Sequence, residues 1–136
     1  MSSHPDLATR KASALALLEV AFTPGRSVAE KRELMAKYIN PQKYIQHSAT
    51  VPDGFDGLMR LVAEFDSQFP AYGVSVKRMI AEGDFVVAHC HYSYGLPDDL
   101  GKAIVEIFRF EGDQMVEHWD VIQDIPRERA NQNSMF

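Results

Sequence analysis

Cysteine is nearly absent from this chain. Cys90 is the only one in 136 residues, so no internal disulfide can form. Basic residues are in the minority, 14 against 19 acidic, for a formal net charge of −5. That balance disfavours nucleic acid as a partner, because phosphates need a basic surface. No apolar run approaches the length of a membrane span. Met1-Ser-Ser-His-Pro5 lacks the charged start and apolar stretch of a signal peptide, so a cytoplasmic location is the expectation. There is no Gly-rich phosphate loop, and neither Ser nor Cys stands in a nucleophile motif. What is present suits one globular domain over residues 1–136: 46% hydrophobic and 24% charged residues, in a chain long enough to bury a core.

The first half carries helical spacing and the second half carries strand spacing. Asp6 to Phe22 is rich in Ala and Leu, with Leu7, Leu15, Leu18 and Phe22 roughly on one side, and Pro24-Gly25 breaks it. Ser27 and Glu30 have capping-box spacing, which predicts a second helix from Val28 with Met35, Tyr38 and Ile39 inside, ended by Asn40-Pro41. Gly57 to Phe69 has the clearest 3.6-residue period, through Leu58, Leu61, Val62 and Phe65. Strands are expected at Val74–Ile80, Phe85–Tyr94, Ala103–Phe110 and Gln114–Ile122, with a small extra one in Tyr44-Ile-Gln-His47. Glu82-Gly83-Asp84 and Glu111-Gly112-Asp113 read as hairpin turns. Helices first and antiparallel strands afterwards give an α+β domain, its helices packed on one face of a curved sheet. Apolar residues on both strand faces point to a second copy covering the outer face, through Val86, Tyr92, Trp119 and Val121.

The most informative stretch runs from Gly112 to Gln123. Alternation on a strand puts Val116, His118, Asp120 and Ile122 on one face and Trp119 on the other. An apolar strand face has no need of two ionisable groups, because an unpaired buried charge is costly. Either they satisfy each other or they do chemistry. A tight hairpin would set Glu106, Phe108 and Phe110 beside them, making an apolar cavity with a few convergent polar groups. A carboxylate there can act as a general base, and a neighbouring His can orient it or bind an oxygen. That chemistry is proton abstraction next to a carbonyl. The competing reading is a satisfied polar network. His47 alone is more often a structural hydrogen-bond donor than a catalyst, and Cys90, opposite His89 and His91, a small buried residue. His89-x-His91, joined by His118 and an acid, also has the ligand types of a zinc or iron site. No metal and no cofactor is the expectation.

Several motifs together resemble the SnoaL-like polyketide cyclase family, of the nuclear-transport-factor-2-like superfamily. They are Tyr44-Ile-Gln-His47 with Val51-Pro-Asp-Gly54, Ala88-His-Cys-His91, Glu106-Ile-Phe-Arg109, Glu117-His-Trp-Asp-Val-Ile-Gln123 and the closing Asn131-Gln-Asn-Ser-Met-Phe136. The chain departs from the common pattern at Ser48-Ala49, where relatives often carry Asn-Pro, and at Glu106, where they often carry Asp. The resemblance implies a cone-shaped α+β barrel with a pocket at its mouth, usually in a homodimer. It implies cofactor-free ring closure by aldol condensation, with an aspartate matching Asp120 as acid/base. Pattern and resemblance together place Asp120, His118 and His47 in the chemistry. Around a small-molecule substrate they place His89, His91, Glu106, Tyr44 and Phe108. The alternatives are a non-catalytic binder of a small apolar ligand on the same fold, and a dimeric association module.

Overall fold

The computed structural model describes residues 6–136, and His4 lies outside the described residues. The chain runs α1 (Leu7–Ala21), α2 (Val28–Met35), β1 (Ile45–Gln46), α3 (Gly54–Gln68), β2 (Gly73–Glu82), β3 (Phe85–Ser93), β4 (Lys102–Glu111) and β5 (Gln114–Asp124). Each helix starts where a side chain can take an orphan amide or anchor a neighbour. The Asp6 carboxylate accepts from Thr9 N, and the Ser27 hydroxyl accepts from Glu30 N. Asp53, before α3, instead accepts from Gln46 N and ties that helix to β1. Gly57 is required inside α3, since a Cβ there would stand 2.1 Å from the Pro52 carbonyl oxygen.

The five strands lie in the order β1-β5-β4-β3-β2, antiparallel except for β1 beside β5. The architecture is the expected α+β one, as an open curved sheet with the three helices on its concave side. Both hairpins close through two-residue turns, Glu82 opposite Phe85 and Glu111 opposite Gln114, with Gly83 and Gly112 at positive φ.

Three expectations need correction. The second helix ends at Met35, short of Asn40, because the backbone of Tyr38 and Asn40 leaves the helix to bond both sides of Met115 on β5. The buried stripe of α1 is Arg10, Ala14, Leu17, Leu18 and Ala21, with Leu7 exposed and Leu15 half-buried. Arg10 explains that rotation. Its buried guanidinium donates to Gly83 O, Gly112 O and Asp84 Oδ1, at 2.9, 3.0 and 2.9 Å, and so holds both hairpin turns from inside. Finally, Val86 and Tyr92 are buried on the concave side and cannot form an outer interface. The register aligns Val86 with Phe108 and Ala88 with Glu106, which sets even-numbered β3 residues under the helices.

A second buried cation organises the helical layer. Lys31 has no exposed surface, and its three donors reach Asp66 Oδ1, Tyr72 Oη and Ala21 O at 2.8, 2.8 and 3.2 Å. The ammonium is thus paired and fully hydrogen-bonded, the condition under which burying a charge is tolerable.

Candidate functional site: an apolar cavity with a carboxylate–histidine end

Between the helices and the concave sheet face lies a cavity of about 540 Å³. Leu17, Leu18 and Phe22 of the α1 end and Leu58, Leu61 and Phe65 of α3 form its apolar wall. Its polar end is built by the β4–β5 register, which sets Glu106 opposite Asp120 and Phe108 opposite His118. Tyr44 and Gln46, at β1, close that end from the side. Tyr94, Lys102, Ile122 and Asp124 line the part toward solvent.

His118 is held on both ring nitrogens. Its Nδ1 lies 2.6 Å from Gln46 Oε1, and its Nε2 bonds Glu106 Oε2. Gln46 Oε1 also accepts from Ser48 N at 2.9 Å, which fixes the amide with its oxygen toward the imidazole. The hydrogen of that contact therefore belongs to His118 Nδ1. Burial works to lower the imidazolium pKa. The Glu106 carboxylate, its hydrogen bond and the Asp120 charge outweigh it, and the net direction is up. Glu106 Oε1 accepts in addition from Tyr92 Oη at 3.1 Å.

Asp120 is different, being half-buried and outside this network. Desolvation raises its pKa above the ordinary 3.8, against the Ser48 hydroxyl, which pulls it down. The Glu106 charge adds to the rise and His118 opposes it. A carboxyl group with raised proton affinity at the end of an apolar cavity can take a proton from carbon and return it. The Tyr44 hydroxyl stays a phenol, because burial and the charges of Glu106 and Asp120 push its pKa well up. Burial also pushes the Cys90 thiol up to about 12, so it offers no thiolate nucleophile near neutral pH.

Of the residues expected around the site, Asp120, His118, Glu106, Tyr44 and Phe108 meet at the cavity. His47, His89 and His91 do not. Tyr44 and Gln46 point in, so His47 points out, where its ring stacks on Trp119 at 4.8 Å and bonds Glu117 Oε2 at 2.7 Å. His89 and His91 occupy the convex face with Phe136 packed on both rings. His91 Nε2 lies 2.9 Å from Leu100 O, and His89 Nδ1 accepts from Arg78. A metal site joining them to His118 would have to cross the sheet. Among the described residues, those grouped so that they could hold a metal are Glu106, His118 and Asp120, whose ligand atoms lie within 4.8 Å of one another. The Glu106–His118 bond engages two of these three side chains. Gln46 was missed, although strand alternation from Tyr44 marks it as facing inward.

The three helices, the curved five-stranded sheet and the carboxylate–histidine end define an α+β protein with an internal, mainly apolar cavity. The SnoaL-like polyketide cyclase model matches residues 27–131, and the chain belongs to that family. Among proteins of curated function, none matches the chain. The fold is shared with AclR from Streptomyces galilaeus, at 22% identity and a TM-score of 0.67 over 87% of this chain and 91% of that one. TsrD from Streptomyces laurentii matches at 18% identity and a TM-score of 0.69, over 88% and 91%. A cystatin-fold protein from Novosphingobium aromaticivorans matches at 16% and 0.65, over 82% and 97%. At these identities the likeness carries the fold.

Proposed function

We propose that the protein is a cofactor-free proton-transfer enzyme acting next to a carbonyl of a small, partly apolar substrate, as an aldol-type cyclase, lyase or isomerase. The observation that carries this reading is Asp120: half-buried, raised in proton affinity, and free of the Glu106–His118–Gln46 network beside it. The apolar wall accepts the carbon skeleton and excludes water. Asp120 takes the proton from carbon and later delivers it to the product oxygen or leaving group. With both ring nitrogens occupied, His118 serves as a fixed positive charge against the Asp120 carboxylate. Membership of the SnoaL-like polyketide cyclase family supports this class of chemistry.

The test is turnover of a panel of 1,3-dicarbonyl and polyketide-like compounds by wild type and Asp120→Asn. The asparagine keeps the shape and removes the base, so turnover falls by about 10²-fold or more while binding survives. Equal turnover refutes the assignment. Binding of several compounds with turnover of none favours the non-catalytic ligand-binding reading, which the apolar wall also supports.

We further infer that the protein works as a homodimer through its convex face. The apolar residues there are Ile80 and Val121, each 62% exposed, with Phe85 beside Trp119. No helix among the described residues is long and apolar enough to cross a membrane.

A further inference from the structure

Removing a proton from carbon leaves its electron pair in an enolate, and the negative charge moves to the carbonyl oxygen. That oxygen needs a hydrogen-bond donor near Asp120. Most donors at the polar end are already engaged. Both His118 nitrogens are bonded, and the Tyr92 hydroxyl donates to Glu106. Lys102 Nζ donates to Asp124. Gln46 Nε2 has no partner, but it is sealed from solvent by packing. The Tyr94 hydroxyl sits among the charges of Lys102, Asp99 and Asp124, away from Asp120.

One donor remains. Tyr44 is only 6% exposed and lines the cavity. Its hydroxyl feels the charges of both Glu106 and Asp120, and the side chain faces the cavity. The ring is held nearly parallel to the His118 imidazole, 6.4 Å away. We propose that the Tyr44 hydroxyl donates to the enolate oxygen that forms when Asp120 accepts the proton, and so selects substrates with an oxygen two bonds from the acidic carbon.

This inference rests on the proton-transfer reading but is tested apart from it. Asp120→Asn imitates the protonated aspartate that stands beside an enolate, and 4-nitrophenolate imitates the enolate oxygen. Dissociation constants of 4-nitrophenolate and nitrobenzene are measured for Asp120→Asn and for Asp120→Asn with Tyr44→Phe. Loss of a hydrogen bond to a charged oxygen weakens phenolate binding by about tenfold or more and leaves nitrobenzene unchanged. Melting temperature of Tyr44→Phe should match or exceed wild type, since the hydroxyl serves the ligand. Equal phenolate binding by the two proteins, or no binding of either probe, overturns the proposal. So does marked destabilisation by Tyr44→Phe, which would make the hydroxyl structural. None of these measurements depends on turnover, so the Asp120 assignment stands or falls separately.

Discussion

Replacing Glu106 by Gln should reverse the sign of this protein's stability dependence on pH near neutrality. In the wild type, His118 has a folded-state pKa above its ordinary 6.5. Its contribution is therefore complete below 6.5 and is lost as pH rises through the folded value. Asp120, also raised, acts in the same direction above 3.8. Glu106→Gln keeps the shape and can still accept from Tyr92. It removes the carboxylate that overcomes burial at His118, and only desolvation and the weaker Asp120 charge remain. The folded-state pKa of His118 should then fall, by an amount worth about 1.4 kcal/mol per unit. Both partners are 6% exposed, so solvent screens little of this. Breaking such a pair costs about 3–5 kcal/mol when the orphaned charge must persist. His118 can shed its proton, so the full cost is expected only at acid pH and a smaller one near neutrality. Urea unfolding across pH, with NMR titration of the His118 ring, reads both quantities. The variant should lose stability as pH falls below 6.5, where the wild type keeps it. An unmoved His118 titration, with stability equal to wild type within about 0.5 kcal/mol, would refute the account of the pair.

Lys31→Met should destabilise the protein by about 3 kcal/mol or more in chemical denaturation, because Asp66 and the Tyr72 hydroxyl lose their common partner. Adding Asp66→Leu should recover part of the loss, and no recovery would mean the charge pairing is not the cause. Sedimentation at micromolar concentration should give a dimer, and Val121→Glu should shift it toward monomer. A monomeric wild type would remove the convex interface, which needs roughly 1,000 Å² of buried area. Elemental analysis of protein purified without chelator should find substoichiometric zinc and iron. One equivalent that disappears in His118→Ala would replace proton transfer by Lewis-acid chemistry at the Glu106–His118–Asp120 cluster.

Alternation along β5 was enough to bring His118 and Asp120 to one face and send Trp119 to the other, and the Gly112 turn set Glu106 and Phe108 beside them. Where parity was not carried through, the reading failed. Tyr44 and His47 differ by three positions on one extended segment, so they cannot both face the cavity. His89 and His91 share the parity of Phe85 and Val87, and only the β3–β4 register shows that this is the convex face. The same missing register sent Val86 and Tyr92 to the wrong side. The end of α2 was illegible for another reason. Tyr38 and Ile39 continue an apolar stripe, but a long-range pairing with Met115 outcompetes the last helical turn. Arg10 escaped notice because an arginine in an Ala/Leu-rich helix is ordinarily solvated. Nothing local announces the two hairpin turns it holds.

The central claim is that Asp120 moves a proton to and from carbon. Deuterium uptake at carbon tests it most directly. Each carbonyl compound that binds is incubated in D₂O with wild type or Asp120→Asn, and label at the carbon beside the carbonyl is followed by NMR. The account predicts enzyme-dependent uptake by wild type, with an acid limb in its pH profile above the ordinary aspartate value of 3.8. It also predicts a fall of about 10²-fold or more in Asp120→Asn. Uptake at the same rate in both proteins, with both shown to bind the compound, would contradict it.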